Sequence, residues 1–380
     1  MEKKLTLATI LEGMDDFRQE NSIDHLLVEI LIITIIAVIC GANGYHQISL
    51  YAKANENWLR GFLELKNGLP SEWTIRRVLM NIDPKQFHDA FIEWVQLICD
   101  RVSGVVAVDG KTARRTKCAG KKALHVVSAF ATANKLVLGQ IATEEKSNEI
   151  TAIPELLKML VIEGCVITID AMGTQKDIAK LIVNKKADYL LSLKGNQETL
   201  FEDIKLYMET EVLSKSKSVL AAAGLYHRTV DNAHGRFEVR EYYICNDVDW
   251  LSQKDDWVKL RGFGLCVSTV EIDGKTTVSY NYYIYSVENM TAERFTAFKR
   301  AHWAIENTLH WTLDMAFRED ESRASADNSA ENLNIIRHIS ANLLRQDKSA
   351  RGGIATKRLL CGWDRGYLAR ILAGAFLVGS

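Results

Sequence analysis

From Ile23 to Ala42 almost every position is apolar, and this run reads as one continuous buried helix closed by Gly41 and Gly44. Asn67-Gly68-Leu69-Pro70 makes a turn, after which Ser71 caps a helix from about Glu72 to Met80, and Asp83-Pro84 opens another through Trp94 and Ile98. At Gly104 the texture changes. Val105 to Gly110 is a short β-branched run, followed by strands over Ala123 to Ala131 and Leu136 to Ala142. An amphipathic helix from Glu149 to Leu160 precedes a buried strand, Cys165 to Asp170. A helix from Asp177 to Asn184 and a strand from Tyr189 to Leu193 follow, and such alternation predicts an α/β sheet.

From about Gln197 to Val287 the pattern becomes an acidic helix and then alternating segments, Phe237 to Ile244, Leu265 to Ile272 and Thr276 to Tyr285. Thr291 caps a helix through Phe317, and a last helix covers about Ala330 to Leu344. Four parts result: a helical module over 1–100, the first part of an α/β core over 101–196, a mostly β insertion over 197–288, and a helical return with a basic tail over 289–380.

A chain of 380 residues exceeds what one compact core usually holds, and 47% hydrophobic residues with only 3 prolines predict order nearly throughout. The most apolar run, Ile30 to Cys40, is too short to span a bilayer, so no membrane is expected as a partner. The 7 cysteines are scattered and never form C-x-x-C, which argues against a zinc ribbon or disulfide framework and for a cytoplasmic protein. The net charge of -1 does not advertise a nucleic-acid binder. Local patches matter more: Lys111, Arg114, Arg115, Lys117, Lys121 and Lys122 contain no acid between them, and Arg337 to Arg370 is strongly basic.

Asp109 and Asp170 each end a strand, where open α/β sheets present chemistry to solvent. Taken singly, either reads first as a loop or cap residue. Side by side they would repel unless a cation sat between them, and such oxygen ligands suit Mg²⁺ or Mn²⁺. On a helix, His302, Glu306 and His310 recur every four residues and share a face with Asp314. Burying such a row between Trp303 and Trp311 is costly without a function. A zinc site on His302, Glu306 and His310 is the competing reading, weakened because its spacing is not H-E-x-x-H.

These residues bring out a resemblance that runs nearly end to end. Its carriers are Ala107 to Thr112, Glu145 to Ile150, Ile169 to Gly173, Lys194 to Gln197, His234-Gly235-Arg236 and His302 to Trp311. The chain resembles the DDE transposases of bacterial insertion sequences, specifically the H-repeat-associated proteins found near Rhs elements. The resemblance implies a ribonuclease H-like mixed-sheet core, a helical N-terminal associated domain, and an acidic triad of Asp109, Asp170 and Glu306. Two ions would be held there, Asp109 bridging them. The implied reaction cleaves the ends of an insertion element and joins the 3′-hydroxyls to target DNA. Relatives carry an arginine one turn before the glutamate and a lysine two turns after it; here His302 and Leu313 stand in those places, with Lys299, Arg300 and His310 as candidate substitutes. The usual His-Asp after the Pro-Ser turn is Glu72-Trp73.

DNA-backbone contacts are expected from Lys111, Arg114, Arg115, Lys194 and Arg236, and from Arg300, His302 and His310. Trp303 and Trp311 are expected to pack in the fold rather than stack on a displaced base. The expected partners are double-stranded DNA, as element ends and target, and further copies of the chain in a homodimer or higher oligomer on the nucleoid. Two alternatives stay open: an inactive or domesticated DNA-binding relative, and a metal-dependent nuclease without strand transfer.

Overall fold

The valine- and isoleucine-rich runs become the buried centre of a nine-stranded mixed sheet, ordered β3-β2-β1-β4-β5-β9-β8-β7-β6. The computed structural model describes residues 5–99, 101–117, 122–143, 148–233, 235–373 and 375–376. Lys121, Glu145 to Ser147 and His234, which belong to the basic cluster and two of the motifs, lie outside the described residues. Strands β1 (Val105–Thr112), β4 (Val166–Ile169) and β5 (Asp188–Leu193) run parallel, while β2 (His125–Ala131) and β3 (Leu136–Thr143) return antiparallel beside β1. Val108 pairs with Ile169, and Asp170 follows just past the end of β4, but Asp109 lies inside β1 rather than at its end, because β1 continues through Gly110 to Thr112 in its pairing with β2.

Residues 197–288 do not stand apart from this sheet. After α9 (Glu198–Tyr207), a π turn (Met208–Val212) and α10 (Lys217–Ala222) come β6 (Tyr226–Ala233), β7 (Arg236–Cys245), β8 (Gly262–Ile272) and β9 (Lys275–Tyr285). Strand β9 pairs with β5 through Leu191 and Ile284, extending the sheet continuously. The sequence pattern missed β6, which is an edge strand rich in polar side chains such as His227, Arg228 and Asp231.

Six helices precede the sheet: α1 (Leu7–Glu12), α2 (Leu27–Ile39), α3 (Tyr45–Ala54), α4 (Glu56–Leu59), α5 (Glu72–Asn81) and α6 (Pro84–Ile98). Helix α2 starts at Leu27 rather than Ile23, because a 3-10 turn (Glu20–Ser22) and the extended Leu26 precede it. All its residues except Val28 are buried, as an apolar helix without a polar face requires. Helices α7 (Glu149–Met159) and α8 (Lys176–Asn184) follow the connections of the parallel strands, with α7 against β2 and β3.

The segment expected as one helix from Thr291 is interrupted. It comprises α11 (Ala292–Ala304), a π turn (Ile305–His310) and α12 (Trp311–Met315), with α11 packed on β1, β4, β6 and β7. Helix α13 (Ser329–Gln346) runs through the middle of the molecule, against α2, α5, α6 and β3, and α14 (Ile354–Trp363) and α15 (Arg365–Leu372) close the fold. The basic C-terminal stretch is therefore only partly a surface patch. Arg337, Lys357 and Arg358 are buried, and Arg358 donates to the carbonyls of Val38 and Ala42 at the end of α2.

Polar groups on α13 do the joining. Asn332 donates to the carbonyls of Leu79 and Ile82, and Asn342 both accepts from the Val137 amide at 2.9 Å and donates to the Val137 carbonyl at 2.9 Å. Asn342 thus supplies two bonds to β3, the outer strand, where the ladder to β2 is irregular. Asn342→Ala strands both backbone groups in a dry site and should cost about 2–4 kcal/mol of unfolding free energy, measured by urea denaturation.

Candidate active site

Strand alternation decides which way the first carboxylate faces. Asp109 points toward the π turn, with its Oδ2 3.7 Å from His310 Nδ1, while a side chain at Gly110 would point the other way, into Glu149 and His125. Burial first, then the charges of Glu306, Asp170 and Glu149, push the Asp109 carboxyl up to about 7, against the backbone N–H of Gly110. Asp170 anchors one oxygen on its own turn, accepting from the amides of Met172 at 3.1 Å and Gly173 at 3.4 Å. Glu306 sits exposed on the π turn, within electrostatic reach of Asp109.

Asp170 and Glu306 thus both lie within electrostatic reach of Asp109, which has no lysine or arginine ion-paired with it among the described residues. Their oxygen-only chemistry fits a hard divalent cation, which would relieve the repulsion on Asp109. Among the described residues, no group of three or more His, Cys, Asp or Glu side chains is arranged to hold a metal ion as the side chains stand. The same holds for zinc on His302, Glu306 and His310, which do not form such a group.

The polar helix row lies along the sheet ends. His302 meets Thr168 on β4, His310 lies beside Asp109, and Asp314 pairs with Lys111 at 2.7 Å. Burial pushes both histidines down to about 4, so near neutrality each is an uncharged group facing protein. Lys111, expected on the DNA backbone, is instead committed to Asp314, to Glu319 at 2.8 Å and to Asp320 at 3.6 Å. Arg236 pairs with Glu238 at 2.9 Å, and Arg300 is 3.9 Å from Asp231. Arg114, Arg115 and Lys194 are exposed, Arg114 resting loosely on Asp320.

Two tryptophans depart from expectation: Trp303 is 54% and Trp311 61% exposed, so neither indole packs in the fold. Glu72 meets His46 at 2.9 Å, and Trp73 is exposed beneath the Arg76 guanidinium. The sequence reading also missed what Glu149 does. It is buried, 2.7 Å from His125 Nε2, and the imidazole's Nδ1 meets Thr112 Oγ1 at 2.7 Å. A Cβ at Gly110 would lie 2.3 Å from Glu149 Oε1, so the glycine makes room for this pair behind Asp109. The only signal for Glu149 in the sequence is its place in the stretch Glu145 to Ile150 that carries the family resemblance.

Glu319 ties the site to the rest of the fold. It is 1% exposed, receives Lys111 and, at 2.5 Å, the Asn334 amide of α13, and lies 3.7 Å from Arg337. Burial alone would raise its carboxyl, but Lys111 and Arg337 hold it below the usual range.

Comparison with known proteins adds independent findings. The family model described as "Transposase DDE domain" matches residues 100–343, and the one described as "DDE_Tnp_1-associated" matches residues 8–95. The chain is 39% identical over 370 residues to the "H repeat-associated putative transposase YhhI" of Escherichia coli K12, covering 95% of this chain and 96% of that one. It is 39% identical over 383 residues to the "Putative transposase YncI" of Escherichia coli O157:H7, covering 98% and 96%. A cryo-EM structure of a piggyBac transposase synaptic complex with hairpin DNA aligns with a TM-score of 0.41 at 10% identity, over 97% of this chain and 79% of that one.

Glu319→Gln leaves Lys111 and Arg337 as underpaired buried cations and should destabilise the protein by about 3–5 kcal/mol in chemical denaturation. Because the Glu319 carboxyl is depressed in the fold, its stabilisation is present above the ordinary glutamate value of about 4.3 and is lost as pH falls below it. Asp109 has the opposite sign. Its raised carboxyl costs stability increasingly as pH rises from about 3.9 through about 7. In EDTA at pH 8, Asp109→Asn should therefore stabilise the protein, by roughly 2–4 kcal/mol, a gain that disappears near pH 4 in the same calorimetric comparison.

Proposed function

Because the chain belongs to the family of DDE-domain transposases, we propose that it cuts the ends of an insertion element and joins the resulting 3′-hydroxyls to target DNA, using Asp109, Asp170 and Glu306. The observation that carries this reading is the β1–β4 register, which sets Asp109, where β1 outruns β4, beside the start of the turn bearing Asp170, while Glu306 acts on Asp109 from the π turn. The β3-β2-β1-β4-β5 order, with β1, β4 and β5 parallel, supports reading residues 101–196 and 289–380 as a ribonuclease H-like core. Residues 197–288 are then an insertion that prolongs its sheet, and 1–100 the associated helical domain.

Asp109, Asp170 and Glu306 are the residues that would hold Mg²⁺ or Mn²⁺, in this reading two ions. When bound, these supply positive charge to the phosphoryl and leaving oxygens of a phosphodiester in-line displacement. The protein's own share is positioning. The amides of Met172 and Gly173 fix one Asp170 oxygen and so the orientation of the carboxylate. His310, uncharged beside Asp109, leaves the negative charge there for a cation. Arg114, Arg115 and Lys194, exposed, hold the DNA backbone, which sets register without reading sequence. Lys111 acts one step back, by fixing the end of β1 and the loop after α12. The working form is a homodimer or higher oligomer on DNA, in the cytoplasm on the nucleoid.

Asp109→Asn, Asp170→Asn and Glu306→Gln should each lower Mg²⁺-dependent cleavage of duplexes carrying the element's ends by about a hundredfold or more while leaving the circular dichroism spectrum intact. Full cleavage by any one variant removes that residue from the set. Supplying pre-cut ends separates the activities: wild-type protein should give strand-transfer products, and their absence beside intact cleavage would reduce the protein to a nuclease.

A further inference from the structure

Strands β6 to β9 make up one side of the sheet, and strand alternation gives that side two faces of unlike chemistry. One face meets α11. Tyr242 lies against Phe295 with ring centroids 6.0 Å apart, Arg300 is 3.9 Å from Asp231, and the buried Glu238 takes Arg236 at 2.9 Å and Arg240 at 2.8 Å. The other face is covered near the core by α9 and α10, where Phe201 meets Tyr282 with centroids 5.3 Å apart and Lys217 pairs with Glu241. Farther out it stands open.

The pairing register fixes what lies there. Val278 of β9, Thr269 of β8, Val239 of β7 and Val230 of β6 stand side by side in one row. On one side of this row run Tyr280, Val267, Glu241 and Arg228, and on the other Thr276, Glu271, Phe237 and Asn232. Tyr280 is 57%, Val230 47%, Val278 46% and Phe237 41% exposed. The open face of an antiparallel sheet ordinarily carries polar side chains, whereas this one carries valines, a phenylalanine and a tyrosine. With strands about 4.8 Å and rows about 6.8 Å apart, the patch covers roughly 400 Å², within the range that marks association sites.

Charge argues for the occupant. The open rows carry Arg228 and Glu271, one charge of each sign, and Glu241 is already paired with Lys217, so the face has no field to draw a polyanion. It is instead complementary to itself. A two-fold axis along the strands, between β7 and β8, sets Val278 against Val230 of a second copy, Thr269 against Val239 and Thr276 against Asn232. The same axis brings the Tyr280 ring onto the Arg228 guanidinium, a favourable cation and aromatic pair.

We propose that this face joins two copies of the chain, sheet on sheet, through the row of Val278, Thr269, Val239 and Val230. The proposal rests on the reading of the working form as an oligomer, names the surface it uses, and is independent of the phosphodiester chemistry. Sheets packed in this way stand about 10 Å apart, a gap that two layers of side chains fill. The patch is smaller than the roughly 800 Å² per partner of a stable complex, so the dimer forms only as concentration rises.

The test is sedimentation velocity of the full-length protein over a concentration series, in EDTA and without DNA. Wild-type protein should pass from monomer to dimer. Val278→Lys and Tyr280→Ala should each weaken the association by about tenfold or more. Ile272→Lys, at a 44% exposed position on the opposite face of β8, should leave it unchanged. All three positions are exposed, so loss of the dimer is not loss of fold. Oxidation with copper phenanthroline tests the pairing: the double variant Val230→Cys, Val278→Cys should give a covalent dimer, and neither single variant should. Within one copy these positions are three strands, about 14 Å, apart, beyond the reach of an internal disulfide. The proposal is overturned if wild-type protein stays monomeric at every concentration, if Val278→Lys dimerises as wild type, or if the double variant cross-links no more than wild type. It is equally overturned if Val278→Lys lowers affinity for duplex DNA and leaves self-association intact. A monomer that cleaves and joins element ends would sink this surface and leave the activity standing, and a dimer through this face that cuts nothing would do the reverse.

Discussion

A single buried carboxylate, Glu319, holds together the three parts of the chain that make the site. It receives Lys111 from the end of β1, the Asn334 amide from α13, and the field of Arg337. Lys111 in turn takes Asp314 from α12 and Asp320 from the following loop. Without this network the polar links between the sheet and the helical segment bearing Glu306 would be fewer, His302 on Thr168 and His310 beside Asp109 remaining, and apolar contacts fix distance but not direction. Hydrogen-bonded charges in a dry interior fix both, at the cost of failing badly when one partner is lost.

The π turn at Ile305–His310 follows from the same geometry. A regular α-helix from Thr291 to Phe317 would carry His302, Glu306, His310 and Asp314 in a gently drifting row. Here the row meets three fixed points on the sheet side, Thr168, Asp109 and Lys111, and the extra residue in the turn adjusts the helix between them. Such insertions are common where side-chain direction matters more than helix regularity. Behind the strand, the His125 and Glu149 pair fills the space left by the absent side chain of Gly110. Asp109 is thus bracketed on both faces of the sheet.

Basic residues divide into two populations that look alike in sequence. Arg337, Lys357 and Arg358 are buried, Lys357 and Arg358 donating to carbonyls and Arg337 facing Glu319, so the long basic C-terminal stretch is in good part internal scaffolding. Arg114, Arg115, Lys194, Lys135 and Lys348 face solvent. A net charge near zero is compatible with nucleic-acid binding once this division is made, because only the second population contributes a field outside the protein.

By itself the sequence determined most strands and helices of the central sheet, since Val105 to Val108 and Cys165 to Ile169 are apolar runs, each followed by an aspartate, whatever surrounds them. It also determined the helical N-terminal region, because periodicity is a local property, whereas that Asp109 lies inside its strand rather than at the end was decided by pairing with β2. Edge strand β6 and helices α14 and α15 escaped it, one being polar by position and the others lying where charge suggested a solvated tail. The tertiary structure alone decided which charges are spent inside, that Lys111 faces Glu319 rather than solvent, that Trp303 and Trp311 stand exposed, and that residues 226–285 prolong the sheet. Those outcomes depend on partners distant in sequence, 208 residues in the case of Lys111 and Glu319, and no local pattern encodes a partner that only folding brings near.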